Sequence, residues 1–200
     1  MTTALLIRHG ETDAVGKLLA GWIPGWHLNT RGKRQAERLA ERLAHIPISA
    51  IYSSPLERTI ETAEHIARLH GLPVRPVADL GEVRQGAWEG KSFAELKNDD
   101  DWKQYNSVRT MGHAPGGELA AETQARMVRA LDCLAARHVG ETIVMVSHGD
   151  PLRYLLAWCL GIPMDLALRF DIGTGSLSVL QVADGGPHVL SINEFGDAHV

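Results

Sequence analysis

Two short apolar runs in this 200-residue chain end alike: Leu5-Leu6-Ile7 passes into Arg8-His9-Gly10, and Val144-Met145-Val146 into Ser147-His148-Gly149. Each pattern reads as a strand with an imidazole at its carboxyl end, where open α/β sheets bind their ligands, and a following glycine lets backbone come close to that ligand. A third strand end, Tyr52-Ser53-Ser54, leads into a helix whose first turn carries Arg58. Arg8 and Arg58 therefore approach the same edge of a sheet from different strands. Planar guanidinium forks match the oxygens of a dianionic phosphoryl group and compensate its charge. The helix opened by Asp150-Pro151, just beyond His148, adds free backbone donors and a positive dipole end. A histidine beside a phosphoryl group held in this way can attack phosphorus through a neutral ring nitrogen, giving a phosphohistidine in a two-step displacement. The neighbouring cations disfavour imidazolium and keep that nitrogen free. A departing alkoxide also needs a proton. Glu82 is the candidate donor, on the glycine-rich loop Leu80 to Gly90, where Trp88 and partial burial would raise its pKa toward the working pH; Glu89 and Glu118 occupy similar loops. The arginines would repel a divalent cation, and no helical H-x-x-x-H or carboxylate cluster supplies ligand spacing, so no metal and no cofactor is expected.

Helix-type periodicity alternates with short β-type runs, the pattern of helices packed on a mainly parallel sheet. Strands are expected at Leu5 to Ile7, Ile48 to Tyr52 and Thr142 to Val146, with Val74 to Val77 confined to an edge by Pro76. Asn29 or Thr30 caps a helix from about Arg31 to His45, with Ala36, Leu39, Ala40 and Leu43 as its apolar stripe. Ser54-Pro55-Leu56-Glu57 reads as a capped start, with Ser as cap and Pro in the first turn, for a helix stopping at Gly71. Further helices are expected from Glu118 to His138 and from Asp150 to near Gly161. A terminal hairpin joins Leu177 to Val182 and Val189 to Ile192 across Asp184-Gly185-Gly186. Ser92 begins another capped start, and the polar, aromatic-spiked stretch from Lys97 to Gly117 reads as irregular; residues 92–117 together are taken as an insertion over the site. His113, Arg109 and Trp102 within it serve either substrate contact or packing, and Asp99 to Asp101 read as solvated surface.

The composition allows this reading and excludes others. With 44% hydrophobic and 22% charged residues the chain is of the globular class, and at this length about 70% of its surface can be buried in one domain, 1–200. A formal charge of −4 gives no overall field for nucleic acid or anionic membrane, so an anion site must be local. Cys133 and Cys159 form no C-x-x-C pair and read as small core residues. The opening residues lack a signal-peptide pattern and no run approaches the ~20 apolar residues of a membrane span, so a cytoplasmic location is the expectation.

At this point a resemblance covers nearly the whole chain. RHGET at Arg8 to Thr12, LNTRGKRQA at Leu28 to Ala36, SSPLERTIETA at Ser53 to Ala63, GEVRQGAWEG at Gly81 to Gly90, APGGE at Ala114 to Glu118 and VSHGDPLR at Val146 to Arg153 resemble, in order, the blocks of the histidine phosphatase superfamily, also called the phosphoglycerate mutase-like family. The resemblance implies a three-layer α/β/α sandwich, mostly parallel with one antiparallel strand, and an activity that needs no metal. It implies His9 as nucleophile, Arg8 and Arg58 as phosphate ligands, His148 as their assistant and Glu82 as proton donor. Thr12 and Gly149 are expected as further substrate contacts. Trp22 is expected as an aromatic wall of the pocket or, in the bland reading, a loop anchor. Val15 stands where many members have Asn, Arg84 and Gln85 where an acid and an aromatic are common, and Leu119 where Ser is frequent. The AGWIPGWHL stretch resembles a branch of small phosphatases and probable phosphomutases.

The expected function is thus a metal-independent phosphomonoesterase acting on a small phosphorylated metabolite through phospho-His9. A phosphoglycerate mutase-type phosphomutase is the enzymatic alternative, and a non-catalytic phospho-ligand module the minor one. The expected partner is the small substrate alone, with no nucleic acid or membrane, in a monomer or homodimer.

Overall fold

A computed structural model describes residues 1–195. Thr2–Arg8 (β1), Ile48–Ser53 (β2), Val74–Pro76 (β3), Thr142–Ser147 (β4), Leu177–Ala183 (β5) and Gly186–Glu194 (β6) form one sheet in the spatial order β3-β2-β4-β1-β5-β6. β1, β2, β3 and β4 pair in parallel, β5 runs antiparallel to β1, and β6, antiparallel to β5, points with the rest. One strand is therefore reversed, as expected. The helices are Thr30–Leu43 (α1), Glu57–His70 (α2), Phe93–Leu96 (α3), Asp100–Ser107 (α4), Ala120–Arg137 (α5) and Gly149–Cys159 (α6).

Because side chains alternate across a strand, β1 and β4 each feed two cores. Leu5, Ile7, Val144 and Val146 pack with Leu39, Leu43, Ala63 and Ile66 of α1 and α2 on one face. Ala4, Leu6, Ile143 and Met145 pack with Met127, Leu131, Leu152 and Leu156 of α5 and α6 on the other. The central strands are buried on both sides, which is why they read as unbroken apolar runs. This is the three-layer sandwich. The chain after β1 turns to α1 on one face, while the chain after neighbouring β4 turns to α6 on the opposite face. That divergence opens a crevice at the carboxyl ends of β1 and β4, the place where such sheets bind ligands.

Several local expectations are corrected. Ser54 does not cap α2: the helix begins at Glu57, its cap position is Leu56, and no side chain caps it. The stretch from Lys97 is not irregular throughout, since Asp99 accepts from the Trp102 N–H and starts α4, whose Tyr105 and Trp102 pack on Trp88. Asp99 is accordingly a helix cap, while Asp100 and Asp101 are exposed. Cys133 is exposed and Cys159 half-buried, so neither is a fully buried core residue. Among the described residues no helix is long and apolar enough to cross a membrane.

Candidate active site

Strand register builds the site. Arg8 lies opposite Ser147 in the β1–β4 ladder, and Ser53 opposite Val146 in the β2–β4 ladder. The next residues along, His9, His148 and Ser54, therefore leave the sheet side by side. The His9 N–H donates to the Ser147 carbonyl (3.0 Å) and the Ser54 N–H to that of Val146 (2.9 Å), which extends the ladder by one step and fixes the side chains beyond it. The imidazoles of His9 and His148 meet edge to face, their centroids 5.2 Å apart.

His9 is buried, and its Nδ1 lies 2.7 Å from the Gly10 carbonyl oxygen. A carbonyl only accepts, so Nδ1 carries the proton and Nε2 keeps its lone pair. Burial holds the His9 pKa well below the usual histidine range, and the charges of Arg58 and Arg8 push it the same way, against the Gly10 hydrogen bond. Burial, rather than the arginines as the sequence suggested, is the larger cause. His148 is likewise driven far down by burial, then by Arg58, His9 and Arg8.

Arg8 donates from Nη1 to the Ile172 carbonyl (2.6 Å) and Arg58 from Nη2 to that of Gly21 (2.9 Å). Each bond anchors one corner of a guanidinium and leaves the rest of the fork free. Arg8 Nε, Arg58 Nη1 and His148 Nδ1 are all buried with no hydrogen-bond partner within the protein. Two of these are donors on buried cations, costly unless an anion takes them up, and the third is a ring nitrogen of the adjacent imidazole. Gly149 permits the arrangement, because a Cβ there would stand 3.2 Å from Arg8 Cζ.

Glu82 reaches the same cavity, with Oε1 accepting from the Val83 N–H (2.9 Å) and Oε2 lying 3.7 Å from His148 Nδ1. Burial raises its pKa, Asp150 adds to the rise, and Arg58, the Val83 hydrogen bond and Arg8 oppose it. Burial pushes the His148 pKa down and that of Glu82 up, so it works against an ion pair across this 3.7 Å approach. The loop carrying Glu82 is clamped from outside. Arg126 of α5 donates to the carbonyls of Asp79 (2.7 Å), Gly81 (2.8 Å) and Glu82 (2.9 Å), and Ser147 donates to that of Leu80 (2.7 Å).

The cavity encloses about 220 Å³. That is below the ~300–1,000 Å³ of typical small-molecule sites, so it admits a phosphoryl group and a small remainder. Of the residues expected at the site, Arg8, His9, Thr12, Arg58, Glu82 and Gly149 line it, while His148 is fully buried against His9 and is not part of the lining. Trp22 does not line it either: its indole N–H donates to the Glu82 carbonyl (2.7 Å) and Arg84 stacks on its ring (4.2 Å), which makes it a loop anchor behind the wall. Arg109 is buried over the Tyr105 ring (3.7 Å), Trp102 packs on Trp88 and His113 is exposed, so none of the three lines the cavity. Gln85, Phe93, Asp150 and Arg153 do, and the sequence reading assigned none of their side chains to the site. For Asp150 and Arg153 the signal was available in their place just after His148-Gly149; for Phe93 only the chain path of residues 89–93 brings it there. A larger open groove, of about 790 Å³, lies over α1, α2 and β3, lined by residues such as His27, Glu61 and His65, and holds none of this chemistry. Among the described residues no group of three or more His, Cys, Asp or Glu is placed to hold a metal ion.

Residues 4–194 match the model of the histidine phosphatase superfamily, branch 1. The chain belongs to this family. It is 31% identical to phosphoserine phosphatase 1 of Hydrogenobacter thermophilus over 197 residues, covering 96% of this chain and 92% of that one. Mycobacterial relatives 34% identical to it are longer, and the chain spans 54% of their length. Among solved structures, YhfR of Bacillus stearothermophilus superposes with a TM-score of 0.91 at 31% identity, over 96% of both chains. A mutant phosphoserine phosphatase of Entamoeba histolytica, in complex with phosphoserine, superposes with a TM-score of 0.87 at 28% identity, over 97% of this chain and 98% of that one. The chain thus shares with its structural neighbours the mixed α/β sheet architecture of the histidine phosphatase superfamily.

Proposed function

We propose that this histidine phosphatase domain is a metal-independent phosphomonoesterase for a small phosphorylated metabolite, working through phospho-His9. The observation that carries the reading is the contact of His9 Nδ1 with the Gly10 carbonyl, which leaves the Nε2 lone pair free beside two buried guanidinium donors and a His148 ring nitrogen that lack partners. Arg8, Arg58 and His148 Nδ1 hold the phosphoryl oxygens, and the N-terminal turn of α6 at Gly149 adds its dipole. His9 Nε2 attacks phosphorus, the bridging P–O bond breaks, and the Glu82 carboxyl passes its proton to the departing oxygen. In the second step Glu82, now a carboxylate, takes a proton from the water that attacks phosphorus, the P–N bond breaks, and orthophosphate leaves. Relatives and neighbours that carry phosphatase names support this assignment.

Hydrolysis is favoured over phosphoryl return by the cavity itself. A mutase must hold a second anionic group, and beyond Arg8 and Arg58 the only cation lining the cavity among the described residues is Arg153. That guanidinium is already engaged by Asp150, by Asp171 (3.6 Å) and by the Phe170 carbonyl (3.1 Å).

Brief mixing with a 32P-labelled phosphomonoester in EDTA, followed by alkaline quench, tests the mechanism. The expected result is an acid-labile, alkali-stable label on wild-type protein that is absent from His9→Ala, with orthophosphate as product and 3-phosphoglycerate not isomerised. Turnover without label, or turnover abolished by EDTA, overturns it.

A further inference from the structure

Ser54 has no part in capping α2, yet it is fully buried at the end of β2, with its Oγ 2.8 Å from His148 Nε2. Its backbone is fixed on every side. The Ser54 N–H donates to Val146, and its carbonyl accepts from the hydroxyls of Ser53 (2.8 Å) and Thr59 (2.9 Å). The hydroxyl oxygen itself accepts the Leu56 N–H at 3.4 Å. What remains on that oxygen is its own proton, and among the described residues the only acceptor in reach is His148 Nε2. The geometry points to Ser54 as a positioning residue that donates to His148 Nε2 and so places the imidazole proton on Nδ1, the buried nitrogen that lacks a partner beside Glu82.

The consequence concerns which end of the ring can serve an anion. A neutral imidazole has one N–H. Were it on Nε2 it would be spent on Ser54, and Nδ1 would turn a lone pair toward the oxygens of a bound phosphoryl group, a repulsive arrangement. With the proton on Nδ1, His148 is a donor aimed at the site before substrate arrives, and no reorganisation is needed as charge develops. The two histidines are then set by parallel devices: the Gly10 carbonyl puts the His9 proton on Nδ1 and frees Nε2 to attack, while the Ser54 hydroxyl puts the His148 proton on Nδ1 to donate. The tautomer assignment stands on these contacts alone; its catalytic consequence rests on the phosphatase reading above.

Two-bond 1H–15N correlation spectra of histidine-labelled full-length protein read the tautomer directly, with His148 assigned by loss of its signals in His148→Asn. The expected pattern is protonated Nδ1 and bare Nε2 in wild type, with substantial Nε2–H in Ser54→Ala. In phosphomonoester turnover Ser54→Ala should lose about 10- to 100-fold in kcat with KM changed less than about threefold, and Ser54→Thr, which keeps the hydroxyl, should recover most of it. Circular dichroism checks that each variant is folded. An Nε2–H pattern in wild type, or an unchanged pattern in folded Ser54→Ala, overturns the proposal. The expected tautomers in a protein without phosphatase turnover would sink the function assigned to the site and leave the role of Ser54 standing.

Discussion

A nucleophile and a general acid in one small cavity must titrate in opposite directions, and here burial does both. It pushes His9 down, so Nε2 stays unprotonated well into the acid range, and pushes Glu82 up, so its proton persists above the usual carboxylate range. As pH rises, kcat/KM should climb as His9 loses its proton and fall again as Glu82 ionises; removing Glu82 should remove the second limb. Glu82→Gln should lower kcat/KM for an alkyl phosphate by about 10²- to 10⁴-fold. For p-nitrophenyl phosphate, whose phenolate leaves without a proton, the loss should stay within about tenfold. Because kcat/KM reports only through the first irreversible step, the later role of Glu82 toward water does not blur the comparison. Equal losses on both substrates would show that Glu82 is not the donor.

At the scale of elements, the site depends on how closely α1 approaches the turn after β1. A Cβ on Gly10 would lie 2.5 Å from the Gly32 carbonyl oxygen, and one on Gly32 would lie 2.1 Å from that of Glu11. Both neighbours are backbone and cannot swing aside as a side chain could. The Gly10 N–H also donates to Thr62 Oγ1 (3.0 Å), which joins the same turn to α2. Gly10→Ala should therefore cost about 1–3 kcal/mol in denaturant unfolding. It should also shift the Gly10 carbonyl that orients His9, so that kcat falls by more than the folded fraction does. A variant of wild-type stability and activity would show that the turn has slack.

How much of this was legible follows from the same elements. Apolar runs ending in His-Gly announced β1 and β4, and the site's two histidines with them, because burial on both faces leaves no polar alternation to confuse the reading. Arg58 was legible through the helix start that positions it. Ser54 was misread because a serine three residues before a helix, followed by proline, has the composition of a cap, and only the register of β2 against β4 reveals that its hydroxyl meets His148. Trp22 was left open between pocket wall and loop anchor because an aromatic in a glycine-rich loop says nothing of which side its ring takes; the Glu82 carbonyl decides for the anchor. α4 escaped notice because eight residues with a single fully buried side chain, Tyr105, carry too little periodicity to register.

For the molecule as a whole, the site is a standing charge imbalance that the rest of the fold must hold. Burial lowers the pKa of both Arg8 and Arg58, and the charge of Arg8 lowers that of Arg58 further, as Arg153 does that of Arg8. A ligand anion relieves this, so the protein should gain stability with orthophosphate: about 2.7 kcal/mol at a hundred times the Kd, or roughly 5–10 °C in Tm at this size. Arg58→Met removes the anion's grip together with the uncompensated buried charge. It should abolish the phosphate-induced shift while leaving the ligand-free Tm unchanged or raised by a few degrees, roughly the equivalent of 1 kcal/mol. The histidines add a pH signature of definite sign. Their folded pKa values lie below the unfolded value near 6.5, so the stability they contribute is complete above that pH and is lost as pH falls through the folded values. The opposite shift at Glu82 contributes stability present below about 4.5 and lost as pH rises through its elevated value. Calorimetry between pH 7.5 and 5 should therefore show Tm declining on the acid side in wild type, and declining less in the His9→Asn, His148→Asn double variant. A parallel decline in both proteins would mean that groups elsewhere govern acid stability and that the imidazoles ionise freely in the folded state.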